Sequence, residues 1–107
     1  MNNIIDTKDL ITFGEDFPKL LIGNTTYEVN DLKETADKID EVLADEKLEQ
    51  KAKEIKILEL ALGEEHAKEL LSMKMNVKSY RNFVQLVMAT IQGMTLKEFK
   101  EQMNSKN

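Results

Sequence analysis

Apolar residues recur three or four positions apart over residues 32–62, which is the spacing that places side chains on one face of a helix. They form two runs: Leu32, Ala36, Ile39 and Leu43, then Leu48, Ala52, Ile55, Leu58 and Leu62. The longer step from Leu43 to Leu48 breaks the phase of the pattern. Either one helix shifts its apolar stripe there or two helices meet. The charged turn between the runs favours a break or bend near Asp45.

The region "NVKSYRNFVQLVMATIQG" is the most apolar helical segment of the chain. One face carries Val77, Tyr80, Val84, Val87 and Ile91, and Phe83, Leu86 and Ala89 widen it. A face of this breadth predicts a central helix that contacts several neighbours.

Capping signals and glycines predict where these helices begin and end. Asp31 with Glu34, and Thr95 with Glu98, have the spacing of a capping box, so helices should begin there with Asp31 and Thr95 as N-caps. Gly63 stands where a left-handed residue would end a helix, and the acidic residues after it suit the first turn of another. Gly93 should end the apolar helix.

The runs "PKLLI" and "TTYEV" flank Gly23 and Asn24, which predicts a β-hairpin with Pro18 at the edge of its first strand. An isolated hairpin is marginally stable in water, so it must pack against helices or another chain. Two interpretations stay open. The hairpin either covers the helices or offers an unpaired edge to a second copy.

These elements predict a mainly α fold, a compact bundle of about four to five helices with a small N-terminal β-hairpin. One domain is expected over residues 1–107. It comprises an N-terminal segment and hairpin over 1–30, a helical part over 31–103 and a frayed tail over 104–107.

Composition narrows the classes of function. No apolar run approaches the roughly 18 to 20 residues of a membrane span, and no signal peptide is evident, so a cytoplasmic protein without a membrane partner is expected. Cysteine is absent, which excludes disulfides and thiolate metal sites. The net charge of -5, the single arginine Arg81 and lysines interleaved with acids disfavour nucleic acid.

His66 is the only histidine, and it follows Glu64 and Glu65. Three consecutive residues on a helix point in three directions, so they cannot converge on one metal ion. No phosphate loop or nucleotide fingerprint occurs either. We therefore expect no enzyme, no metal and no cofactor, and His66→Ala should cause no loss of function.

Methionine is concentrated in the C-terminal third of the chain, and a cluster of this flexible side chain can form a surface that accepts varied apolar partners. The alternative is that methionines fill gaps in a small core. The predicted partner-binding residues are Met73, Met75, Met88, Met94 and Phe99.

The order of these parts resembles the small tail assembly chaperones of long-tailed phages and prophages of Gram-positive bacteria. The likeness covers roughly residues 19–100, in the order "LLIGNTTYEVND", an acidic helix, "ILELALGEEHAKELL" and "YRNFVQLVMATIQG". Its most telling pieces are the stretch from Leu62 to Glu65 and the stop at Gly93.

The resemblance implies a non-catalytic protein that binds the tape measure protein before the tail tube polymerises around it. A longer frameshifted form would recruit the tail tube protein. Such chaperones act in the host bacterial cytoplasm and are not expected in the mature virion, and the hairpin and broad apolar helix make this one a candidate homo-oligomer. The competing hypothesis is a small structural or regulatory interaction protein, such as a phage head-tail component or an inhibitor of a host protein.

Overall fold

The computed structural model describes residues 3–14 and 16–104. Within this part of the chain, two strands precede five helices: β1 (Lys19–Ile22), β2 (Thr25–Glu28), α1 (Lys33–Ala44), α2 (Gln50–Leu62), α3 (Glu64–Leu71), α4 (Val77–Ile91) and α5 (Leu96–Asn104). The protein is therefore mainly helical with a small N-terminal hairpin, as the sequence predicts.

The hairpin is antiparallel, and its two-residue turn is the predicted Gly23-Asn24 pair. Ile22 faces Thr25 across the turn. Only the first turn residue has a positive φ, +64° at Gly23, which is the pattern of a type II′ turn. Beyond the strands, the Val29 N–H donates to the Pro18 carbonyl at 2.8 Å, so the pairing continues past the proline.

One face of the hairpin packs on the helices. Tyr27 and Val29 are buried, whereas Leu21 on the outer side is 71% exposed. A backbone hydrogen bond of 2.8 Å from the Asn30 N–H to the Ala61 carbonyl ties the end of the hairpin to the last turn of α2. The hairpin thus covers the helices, as one of the two interpretations proposed. The other interpretation, an unpaired strand edge that binds a second copy, stays a prediction.

The predicted capping box at Asp31 and Glu34 is wrong. Helix α1 begins at Lys33, and no side chain caps it at Leu32. The Asn30 carboxamide oxygen instead accepts hydrogen bonds from the Leu32 N–H at 3.1 Å and the Thr35 hydroxyl at 2.9 Å. Because Asn30 is held against α2, its side chain, rather than that of the exposed Asp31, reaches these donors.

The predicted break near Asp45 is confirmed. The carboxylate of Asp45 accepts the Lys47 N–H at 2.9 Å, and its carbonyl accepts the Leu48 N–H at 3.3 Å, which forms a turn between α1 and α2. The Lys53 ammonium donates to the Leu43 carbonyl at 2.9 Å. This bond satisfies one of the carbonyls left unpaired at the C-terminal end of α1.

Helices α2 and α3 are separated by Gly63 alone. Its N–H donates to the Glu59 carbonyl of α2, and its carbonyl accepts the Ala67 N–H of α3, each at 2.9 Å. The predicted stop and restart are confirmed. The backbone at φ +88° and ψ 152° is, however, not the left-handed helical conformation that we expected. It lies in a region that is essentially restricted to glycine.

The end of α4 and the start of α5 follow the sequence signals closely. The Gly93 N–H donates to the Thr90 carbonyl at 3.1 Å and the Met94 N–H to the Ala89 carbonyl at 2.9 Å, the two bonds of a Schellman motif. Thr95 and Glu98 exchange side-chain to backbone hydrogen bonds of 2.9 and 3.1 Å. The predicted capping box of α5 is therefore confirmed.

One core joins the hairpin to three helices. It contains Tyr27, Val29, Leu58, Ala61, Leu62, Ala67, Leu70, Phe83, Val84 and Val87. Helix α4 packs against both α2 and α5, as its broad apolar face predicts. Val77, which was assigned to that face, is 67% exposed because it lies in the first turn, at the edge of the interface with α5. Of the predicted frayed tail, Asn104 ends α5, and residues 105–107 lie outside the described part.

Candidate protein-binding site

An open apolar groove lies between the hairpin, the α3–α4 loop, α4 and the start of α5. Its volume is about 510 Å³. We call it the methionine groove, and it is lined by Ile22, Met73, Lys74, Met75, Ser79, Asn82, Phe83, Leu86 and Leu96. Six of these nine side chains are apolar and one is charged. The groove could therefore accept apolar side chains of another protein.

Local hydrogen bonds hold the two methionines of the α3–α4 loop at this groove. The Ser72 hydroxyl donates to the Glu69 carbonyl at 2.6 Å, and the Met73 N–H donates to the Leu70 carbonyl at 3.1 Å, which closes α3. On the other side, the Asn76 side chain accepts the Ser79 N–H at 2.9 Å and caps α4. The loop is thus fixed at both ends, while Met73 remains 42% exposed.

Two other predicted partner-binding residues, Met88 and Phe99, lie at a different groove, between α1, α2, α4 and α5. Met88 is half-buried against the core, and Phe99 is only 6% exposed. Phe99 anchors α5 and offers a partner little surface. Its groove, of about 270 Å³, is smaller than the methionine groove.

Met94 has a structural explanation. It is the residue after Gly93 in the Schellman motif, a position whose side chain commonly makes an apolar contact with the preceding helix turn. Its side chain is half-buried. The structure therefore brings Met73 and Met75 together and places Met88 with Phe99 elsewhere. It does not test whether any of them binds a partner.

His66 is exposed on α3 and lies edge-on to Tyr27, with ring centroids 5.3 Å apart and planes at 86°. The Tyr27 hydroxyl donates a hydrogen bond of 3.0 Å to Glu69, one turn along the same helix. Burial raises the pKa of Tyr27 above its ordinary value, and the bond to Glu69 raises it further. These contacts attach the hairpin to α3.

Neither a metal centre nor a membrane span emerges from the described residues. Over 3–14 and 16–104, no three His, Asp or Glu side chains are grouped so that they could hold a metal ion. None of the helices in this part is long and apolar enough to cross a bilayer.

A third groove, between α4 and α5, was not predicted from the sequence. This groove has a volume of about 520 Å³, and we call it the cationic groove. It is lined by Val77, Lys78, Arg81, Asn82, Gln85, Lys100, Met103 and Asn104. Three lining residues are basic and none is acidic. The signal was present in α4, which carries Lys78 and Arg81 but no Asp or Glu, unlike the helices in which lysines alternate with acids.

The chain matches no family model, no curated protein and no solved structure. The methionine groove, the cationic groove and the sequence resemblance therefore carry what can be inferred about function.

Proposed function

We propose that this protein is a non-catalytic tail assembly chaperone of a long-tailed phage or prophage, and that its client is the tape measure protein. The observation that carries the proposal is the methionine groove. It is open and lined mostly by apolar side chains, and two methionines stand on a loop fixed at both ends. Methionine adapts to varied apolar surfaces, which suits a long helical client without a single recognition sequence.

The rest of the surface supports this role. The chain carries 20 acidic and 15 basic residues, and like charges keep several copies on one client from aggregating. The order of hairpin, helices and glycine stops along the sequence resembles that of tail assembly chaperones. The proposal includes a longer frameshifted form that recruits the tail tube protein, action in the host bacterial cytoplasm, and absence from the mature virion.

Coexpression with the tape measure protein tests the proposal. The tape measure protein should be soluble and copurify when both are expressed, and should precipitate when expressed alone. The double variant Met73→Glu with Met75→Glu should weaken binding at least about tenfold, because two carboxylates would enter an apolar groove. Leu21→Glu is the control, since Leu21 is an exposed apolar residue on the outer side of the hairpin and lies outside this groove.

Two outcomes would reject the proposal. One is a tape measure protein that stays soluble without this chain and does not copurify with it. The other is recovery of the chain from purified virions, which would favour a head-tail component instead. If binding occurs but the Met73 and Met75 variant and the Leu21 variant behave alike, the chaperone function stands and the methionine groove is not the binding site.

A further inference from the structure

The segment before the hairpin carries large apolar side chains that its own chain leaves exposed. Within residues 3–13, which we call the N-terminal arm, Ile5, Leu10, Ile11 and Phe13 are 79%, 78%, 52% and 81% exposed. Four such side chains so close together form a concentration of apolar surface that soluble proteins usually cover with a partner.

The arm nevertheless has local structure and a defined exit from the fold. The N–H groups of Leu10 and Ile11 both donate to the Thr7 carbonyl, at 2.9 and 2.8 Å. At Gly14 the backbone passes so close to Leu32 that an added Cβ would lie 2.6 Å from that side chain. The chain is thus held at Gly14, and the arm extends from this point.

The dimensions of the molecule agree with a projecting arm. The Cα radius of gyration is 15.9 Å, and the longest dimension is 60 Å against 37 and 26 Å for the others. A compact chain of this length has a radius of gyration of about 13 Å. The molecule is therefore more extended than a compact chain of its length, as an arm that leaves the helical core would make it.

The cationic groove complements the arm in both charge and polarity. Its rim offers two exposed apolar side chains, Val77 at 67% and Met103 at 47%, beside Lys78, Arg81 and Lys100. The arm carries Asp6 and Asp9 among its apolar residues, and Lys8 as its one base. Asp6 is paired with Lys8 at 3.9 Å, so the two aspartates leave the arm with a net charge of -1. The charged residues that line the groove are all basic, which favours a partner segment of negative charge.

We propose that the N-terminal arm of one copy docks in the cationic groove of a second copy, so that two chains exchange arms in a symmetric dimer. The apolar side chains of the arm cover Val77 and Met103, and Asp6 and Asp9 face Lys78 and Arg81. Because each chain carries both the arm and the groove, a twofold arrangement satisfies both contacts at once.

The available area is sufficient for such a dimer. At about 180 Å² for a large side chain, the four exposed residues offer roughly 500 Å² per arm. If these side chains become fully buried, two arms and the surfaces that they cover bury at most about 2,000 Å², against about 1,200–2,000 Å² for a specific stable interface. This inference does not depend on the proposed chaperone function and uses a different groove.

Sedimentation equilibrium of the full chain tests the proposal, with two sets of variants. Leu10→Ser with Phe13→Ser should raise the dimer dissociation constant at least about a hundredfold, because both side chains lose apolar burial. Leu21→Ser is the matched control. Leu21 is similarly exposed, at 71%, but lies on the hairpin, so its replacement should leave the dissociation constant unchanged.

Charge reversal gives the sharper test. Asp6→Lys with Asp9→Lys in one chain, and Lys78→Glu with Arg81→Glu in another, should each prevent self-association. An equimolar mixture of the two variants should form a heterodimer. The basic arm of the Asp6 and Asp9 variant fits the acidic groove of the Lys78 and Arg81 variant, and the acidic arm of the latter fits the unchanged basic groove of the former. Circular dichroism of each variant checks that the helices persist.

Three results would overturn the proposal. They are a wild-type chain that is monomeric at about 100 µM, a dimer that neither the arm nor the groove variants weaken, and charge-reversed variants that fail to associate with each other. A monomer whose arm is protected from proteolysis only while its own groove is intact would also refute it, since the arm would then fold back within one chain.

Discussion

Replacement of Gly63 by alanine should destabilise the protein through backbone conformation alone. No atom lies within 4 Å of the position that a Cβ would occupy at Gly63, so the substitution creates no clash. Its φ of +88° and ψ of 152° place it in a region that costs other residues about 1–3 kcal/mol. The smaller entropy of the unfolded alanine chain offsets about 0.4–1 kcal/mol of this cost.

The expected net loss is therefore about 1–2 kcal/mol of unfolding free energy, which corresponds to a fall in Tm of roughly 4–15 °C for a domain of this size. Urea denaturation followed by circular dichroism measures the free energy, and thermal denaturation provides an independent check. The slope of the urea transition should not change, because the folded state keeps its packing.

Asparagine distinguishes this explanation from an ordinary helix stop. Asparagine tolerates the left-handed helical conformation but not the region that Gly63 occupies, so Gly63→Asn should be about as destabilising as Gly63→Ala. At Gly93, which ends α4 in a Schellman motif, asparagine should be tolerated better than alanine. If Gly63→Asn were more stable than Gly63→Ala by over about 1 kcal/mol, the conformational argument would be refuted.

Two further predictions concern the core and the last helix. Leu70 is fully buried, and Leu70→Ala should lower the unfolding free energy of the protein by about 2–5 kcal/mol. Leu43 is 38% exposed, so Leu43→Ala should lower it by less. Urea denaturation measures both losses, and equal losses would contradict the prediction. The hydrogen bond from the Thr95 N–H holds the pKa of Glu98 below its ordinary value of 4.5. The stability that the capping box contributes is therefore fully present above pH 4.5, and it is lost as the pH falls through the lowered pKa. The protection factor of the Thr95 amide, which is the intrinsic exchange rate at each pH divided by the observed rate, should therefore fall in acid. Glu98→Gln should remove this dependence on pH, and an unchanged dependence would assign it to another group.

Most of the fold was predictable because its signals are local. The apolar spacing, the glycines and the pair Thr95–Glu98 each act within a few residues, and the structure confirms the elements that they predict. The cap at Asp31 failed because a distant contact decides it. The Asn30 N–H is bound to the Ala61 carbonyl, and this bond places the Asn30 side chain, not that of Asp31, at the start of α1.

The candidate surfaces were less predictable, since residue type does not say where a side chain lies. Methionine content pointed to Met73 and Met75, which do line an open groove, but it also included Met94, whose position is set by a helix-ending motif. The cationic groove depends on the packing of α5 against α4, because this packing places Lys100 of α5 in the same groove as Arg81 of α4. No spacing along one helix contains that information.

The bonds between the hairpin and the helices have a consequence for how the protein opens. The Asn30 N–H bond to Ala61 and the Tyr27 hydroxyl bond to Glu69 attach the hairpin to α2 and to α3, on either side of Gly63. A two-stranded hairpin lacks independent stability, so it persists only while that helix pair is intact. The hairpin, α2 and α3 should therefore open as one foldon, and their amide protons should exchange by a shared opening event despite their separation in sequence.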